Sequence, residues 1–224
     1  MIDPLNTLRA WSPSAKYEPS LAHILWMGGA PCSGKSSIAQ ILADKHTLRT
    51  YHCDEAFGEH QKRITPGKHP TLYKWTTTTW NELWMQPVDV LLTEAIACYQ
   101  EHFEMIIDDL LKLPRSERVL AEGTPLLPNR VHEVLSDASQ AIWIVPTEEF
   151  SREHYPRRAS WVQAILDQCD DPQQALQNWM DRDVRFADWV TRKARGLGLK
   201  LIAVDGKHTI TENAERVAGH FGLQ

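Results

Sequence analysis

Residues Gly29, Ala30, Pro31, Cys32, Ser33, Gly34, Lys35 and Ser36 constrain this chain more than any other stretch, because they spell G-x-x-x-x-G-K-[ST] between an apolar segment and an amphipathic one. Residues 21–27 have the unbroken apolar character of a strand buried on both faces. Residues 35–44 repeat Ile38, Ile41 and Leu42 at helical spacing. A glycine-rich turn from a strand into a helix lets the backbone wrap an anion, with successive N–H groups and the positive helix end aimed at phosphate oxygens. In that setting Lys35 reaches the β- and γ-phosphates, Ser36 ligates Mg²⁺, and Ser37 completes the loop. The motif predicts binding of a nucleoside triphosphate.

Later strands deliver carboxylates to the same edge. Residues 50–54 predict a second short strand ending at Asp54, where a carboxylate can hold or deprotonate a substrate hydroxyl; capping of the next helix by Asp54 or Glu55 is the alternative. Residues 60–70, rich in Lys, Arg, His, Pro and Gly, predict a mobile loop that either meets an anionic substrate or is simply solvated. Residues 75–84 and 88–113 predict helices separated by Pro87. On the second, Glu94, Glu101 and Glu104 fit a solvated face, with Glu94 or Tyr99 as candidates for a pocket wall. Residues 118–124 predict a third strand whose exit carries Glu122, able to order a magnesium-bound water, to hold a substrate hydroxyl, or to cap the helix that follows.

Residues 141–146 predict a fourth strand stopped by Pro146. The segment after it holds Arg152, Arg157 and Arg158, which suit a lid closing on a transferring phosphate or, alternatively, a helix face salt-bridged to Glu148, Glu149 and Glu153. Asp171-Pro172 opens another helix, on which Arg182 and Arg185 are secondary lid candidates. Residues 199–204 predict the fifth strand, and Thr209 with Glu212 a capping box for the last helix. Strands alternating with helices indicate a parallel α/β sheet covered on both faces.

At 224 residues the chain fits one domain, residues 21–224, preceded by a proline-containing arm over residues 1–20. A net charge of −5 without long runs of one sign argues against a nucleic-acid or membrane surface, and no apolar run is long enough for a membrane helix. Four cysteines without CxxC pairing fit a reducing cytoplasm. Nine tryptophans are many; core packing is their commonest use, and a substrate cleft the other.

In this order of motifs the chain resembles the P-loop small-molecule kinases, a group that takes in nucleoside monophosphate, shikimate and gluconate kinases, antibiotic phosphotransferases and zeta-toxin-like kinases. His69-Pro70 and Thr124-Pro125 add a likeness to the last of these. The resemblance implies a three-layer P-loop fold with sheet order 2-3-1-4-5 and a helical lid over residues 147–192, with ATP and Mg²⁺ as the donor system. It places Asp54 on the acceptor side, Arg152, Arg157 and Arg158 in the lid, and Asp205, Gly206 and Lys207 against adenine. The long stretch between the second and third strands departs from a simple kinase, and in this fold its variable part, from about residue 60 to residue 100, builds the acceptor pocket.

The expectation is a cytoplasmic kinase, monomeric or homodimeric, that transfers the γ-phosphoryl group of ATP to a small-molecule hydroxyl. Its rivals are an ATPase coupled to a protein partner and a non-catalytic nucleotide-binding protein. Residues 119–122 match the apolar run and Asp-Glu ending of a motor ATPase poorly, and a GTPase is the least favoured reading because no N-K-x-D occurs.

Overall fold

The computed structural model describes residues 18–155 and 160–223. After a helical turn α1 (Glu18–Leu21) come β1 (Ile24–Gly29), α2 (Lys35–His46), β2 (Arg49–His52) and α3 (Cys53–His60). The chain continues through α4 (Pro70–Thr77), α5 (Trp80–Trp84), the long α6 (Val88–Leu110), β3 (Val119–Glu122) and α7 (Pro128–His132). It closes with β4 (Ala141–Pro146), α8 (Glu148–His154), α9 (Ser160–Leu166), α10 (Pro172–Gly196), β5 (Lys200–Val204) and α11 (Ile210–His220).

The five strands form one parallel sheet of order β2-β3-β1-β4-β5, as expected. β1, β3 and β4 are buried along their whole length, which their lack of polar alternation anticipates. Alternation still decides which helices each residue meets. Trp26, Val119, Ala121 and Trp143 share a core with Phe103, Ile106, Phe186 and Val190 from α6 and α10. Leu25, Met27, Leu120, Ile142 and Ile144 face Ile38, Leu42 and Val217 from α2 and α11. A third cluster of Leu83, Trp84, Val162, Leu166 and Trp179 joins α5, α9 and α10. Register aligns Met27, Glu122 and His52 across β1, β3 and β2, so the strand ends that carry chemistry lie side by side.

Several boundaries differ from expectation. β1 starts at Ile24, because residues 18–21 coil into a helical turn; the reading of residues 1–17 as an arm falls outside the described residues. β2 stops at His52 and Cys53 starts a helix, so Asp54 and Glu55 occupy the first turn of α3, where carboxylates complement the helix dipole. The segment 60–70, expected as a mobile loop, is built around His60 and His69, both buried, with a 3₁₀ turn between them. The helix expected over 75–84 is two helices, since Thr79 caps α5 in a reciprocal box with Glu82. Glu101 is not on a wet face: it accepts from the N–H groups of Thr71 (3.0 Å) and Leu72 (2.8 Å) and so caps α4.

A polar staple docks α3 on α6. His60 Nε2 lies 2.7 Å from Asp109 Oδ2, and His60 Nδ1 lies 2.8 Å from His102 Nε2. Asp109 and His102 are two turns apart on α6, so the one ring of His60 bridges both. Burial, reinforced by the neighbouring His60, pushes the His102 pKa down from 6.5 to about 3.

Two predictions follow from this packing. Gly28 has no room for a side chain: a Cβ there would lie 2.3 Å from Trp143 Nε1 and 2.5 Å from the Leu126 carbonyl, which bond each other at 2.9 Å. Gly28→Ala should therefore cost about 1–3 kcal/mol in urea denaturation, the usual cost of overpacking. The second concerns acid. Below pH 6.5 the unfolded chain protonates at residue 102 while the folded protein refuses that proton down to about pH 3, so His102 makes the fold progressively less stable as pH falls through this window. Urea midpoints measured from pH 7 to pH 5 should fall more steeply for the wild type than for His102→Gln; parallel slopes would contradict the assignment.

Candidate active site

The turn from β1 into α2 is held in a conformation that ordinary residues resist. Gly29, Cys32 and Gly34 have φ of 142°, 61° and 78°. A Cβ on Gly29 would lie 1.9 Å from the Ile144 carbonyl, and one on Gly34 would lie 2.7 Å from Ile210 Cδ1, so β4 and α11 both press on the loop. Cys32 takes the left-handed conformation despite its side chain, at about 1–2 kcal/mol, and such outliers collect at ligand clamps. Ile38 N–H bonds the Gly34 carbonyl at 3.0 Å, which starts the helix and leaves the amides just before it for other partners.

Lys35 is only 8% exposed, and its ammonium donates to the Ala30 carbonyl at 2.7 Å and to Ser33 Oγ at 3.3 Å. The cation is thus held over the backbone cradle by the loop itself. Across from it, Ser36 Oγ donates to Glu122 Oε1 at 3.0 Å, and His52 Nδ1 lies 2.9 Å from the same oxygen. Glu122 is 4% exposed, so its contacts with Ser36 and His52 offset the burial of its carboxylate. Among the described residues no group of three or more His, Cys, Asp or Glu side chains converges as a metal site. A hydroxyl and a carboxylate nonetheless fit Mg²⁺, which takes few protein oxygens and completes its shell with phosphate and water.

Beside this centre lies an aromatic cleft. One cavity of about 250 Å³ is walled by Pro31 of the loop, by Thr124 after β3, and by Asp54, Trp84, Trp179 and Arg182. A second, of about 330 Å³, includes Phe57, Leu72, Cys98 and His102 in its wall. Asp54, Trp75, Tyr99 and Trp161 line both, so the two form adjoining halves around Asp54. Burial raises the Tyr99 pKa, which keeps the phenol neutral. Larger hollows of about 730 and 510 Å³ open at the opposite end of the sheet, near Arg49 and Arg118 and near Lys200 and His220, away from the loop.

Arg182, 5% exposed, sits over the Trp84 ring at 5.1 Å, and Trp84 stacks on Trp179 with centroids 3.9 Å apart. Its Nε lies 2.7 Å from Asp183 Oδ1. Burial opposes the charge of the guanidinium, but Asp183 together with Tyr99, Tyr155 and Cys98 outweighs it and holds the group protonated. Asp183 also accepts from the Tyr155 hydroxyl at 2.8 Å.

The other expected site residues are distributed unevenly. Arg152 is committed to carboxylates, with Glu148 at 2.9 Å and Asp181 at 2.8 Å, which is the salt-bridged helix face rather than a free lid cation. Arg157 and Arg158 lie outside the described residues. Arg185 pairs with Asp89. Asp205 accepts from Lys207 N–H at 3.1 Å and pairs with its ammonium at 2.8 Å, and Gly206 (φ 83°) passes close to the Phe150 ring of α8. Sequence reasoning placed the cleft within residues 60–100 and so missed His102, Trp161, Trp179 and Asp183. A signal for the last two was available: Trp179, Arg182, Asp183 and Phe186 follow i, i+3, i+4, i+7 spacing and share one helix face.

No model of a known protein family matches the sequence, and no curated protein matches it. Solved structures that resemble the chain include the YorR protein of Bacillus subtilis in complex with phosphorylated GDP, 9% identical with a TM-score of 0.41 over 89% of this chain and 96% of that one. Another is a candidate kinase from Chloroflexus aurantiacus, 15% identical with a TM-score of 0.39 over 89% and 98%. Similarity this low supports no statement about activity, and the fold assignment rests on the strand order itself.

Glu122→Ala would leave Ser36 Oγ and the His52 ring without their shared acceptor. We expect a loss of about 1–3 kcal/mol in urea denaturation, while Glu122→Gln, which keeps an acceptor oxygen, should lose less. Equal losses for the two variants would show that the carboxylate oxygen does not hold the strand ends together.

Proposed function

We propose that this chain is an ATP-dependent phosphotransferase that moves the γ-phosphoryl group to a hydroxyl of a small acceptor bound in the aromatic cleft. The observation that carries this reading is the cavity wall itself, in which Pro31 of the loop, Thr124 after β3 and Asp54 meet. A phosphate cradle and an acceptor chamber thereby share a boundary, with one carboxylate at it.

The roles follow from position. The amides of residues 29–37 and the Lys35 ammonium bind the phosphates and stabilise the charge that spreads over the transferring group. Ser36 and Glu122 hold Mg²⁺, which when bound offsets phosphate charge. Asp54 accepts the proton of the acceptor hydroxyl or holds it in line with the phosphorus. The rings of Trp75, Tyr99 and Trp161 exclude water from the acceptor, which favours transfer over hydrolysis. Asp205, Gly206 and Lys207, next to α8, are the segment proposed to meet the adenine.

Lys35→Ala should lower phosphoryl transfer by about 100-fold or more while the circular dichroism spectrum stays that of the wild type. Asp54→Asn should lower kcat by about 100-fold or more with little change in the KM for ATP. Both are measured as ADP release in the presence of Mg²⁺ and a panel of sugars, sugar acids, aminoglycosides, nucleosides, nucleotides and hydroxylated ring compounds. Undiminished transfer by Lys35→Ala would overturn the proposal.

A further inference from the structure

His102 stands at the far side of the cleft from Pro31. It lines the cavity of about 330 Å³ that also contains Asp54, while Pro31 lines only the neighbouring one. Its residue is 3% exposed, and its Nε2 is taken by His60 at 2.8 Å. Among the described residues no hydrogen bond is made at Nδ1 of His102, the other ring nitrogen. A staple that only docked α3 on α6 would need neither a cavity-lining ring nor an unmatched nitrogen.

The relay fixes what that nitrogen can do. Asp109 can only accept, so His60 donates through Nε2–H, and a neutral His60 is left with a lone pair on Nδ1. His102 must then donate to it through Nε2–H, and a neutral His102 carries a lone pair on Nδ1. Lys112, at 3.0 Å, and Arg63, at 3.4 Å, face the other oxygen of Asp109 and favour its charged, accepting form. The rest of the cavity is mostly rings: Phe57 meets His102 edge-on at 5.0 Å, and Trp75, Tyr99 and Trp161 supply further aromatic wall.

We propose that His102 is a specificity-determining residue of this cleft, presenting Nδ1 as a fixed hydrogen-bond acceptor to a planar ring alcohol that carries an N–H or O–H donor on its far edge. The class rests on the phosphotransferase reading for the alcohol, whose hydroxyl belongs at Asp54. Planarity comes from the aromatic walls, and the edge donor from His102 alone. A site built to accept a ligand N–H rejects the analogue that lacks it, because the acceptor in its wall is covered without being matched.

The test uses 5-hydroxyindole and 5-hydroxy-1-methylindole as matched probes, titrated calorimetrically into the full chain at pH 8 without nucleotide. The wild type should bind 5-hydroxyindole about tenfold more tightly than the methylated probe. His102→Gln keeps a donor toward His60 but has no acceptor at the position of Nδ1, and should abolish that preference. His102→Asn places a carbonyl oxygen near the position of Nδ1 and should restore part of it. Independently of any variant, ¹⁵N spectra of the wild type at pH 8 should show His102 protonated at Nε2 and bare at Nδ1. Equal binding of the two probes, no binding of either, or a proton on Nδ1 would overturn the proposal. Because binding is read without nucleotide, inactivity of the enzyme toward every alcohol would sink the phosphotransferase reading and leave this result standing.

Discussion

The pairing of β3 with both β1 and β2 is the constraint on which the site depends. Parallel register sets Glu122 opposite Met27 on one side and His52 on the other. That places its carboxylate where Ser36, seven residues beyond the end of β1, reaches it at 3.0 Å. A slip of one residue would turn Glu122 into the helical layer and break its contacts with Ser36 and His52 together. The buried carboxylate is accordingly a joint between the ends of β2 and β3 and the first turn of α2, and under the proposed function it is also the acidic member of the phosphate site.

The loop after β1 is tied to the same frame by shape. Gly29 lies against the backbone of β4 and Gly34 against Ile210 at the start of α11, so neighbours on two sides hold the unusual φ values in place. Under the proposed function rigidity here matters, since donors fixed before the phosphate arrives need no rearrangement as charge develops. The cleft is assembled differently, from helices. Trp84, Arg182 and Trp179 form a layered stack, and the His60 bridge fixes α3, with Asp54 on it, against α6. The two halves of the site therefore rest on separate cores that meet at Asp54.

Much of this was legible in the chain because the relevant signals are local. The G-x-x-x-x-G-K-[ST] spacing, the apolar run before it, the Thr209–Glu212 capping box and the Asp171-Pro172 helix start each depend on residues within a few positions of one another. Strand order was implied by resemblance and is found as such. What could not be read is what depends on contacts between distant segments. Glu101 looks like a solvent-facing residue until α4 brings the Thr71 and Leu72 amides to it. Arg152 looks like a lid cation until α10 brings Asp181. His60 and His102 are 42 positions apart, and no periodicity announces that they meet. Asp54 was expected at the end of a strand and instead lines the cleft from the first turn of α3, because a β-strand tail and a first helical turn read alike over two or three residues.

The claim at the centre of this account is that the phosphate cradle and the aromatic cleft act as one site. Its most direct measurement is the fate of the γ-phosphorus of labelled ATP incubated with the protein, Mg²⁺ and a set of small alcohols. The account predicts that label appears in an organic phosphate ester formed from one class of alcohol, and that Asp54→Asn abolishes this product. Label released only as inorganic phosphate, at a rate no alcohol changes, would contradict it.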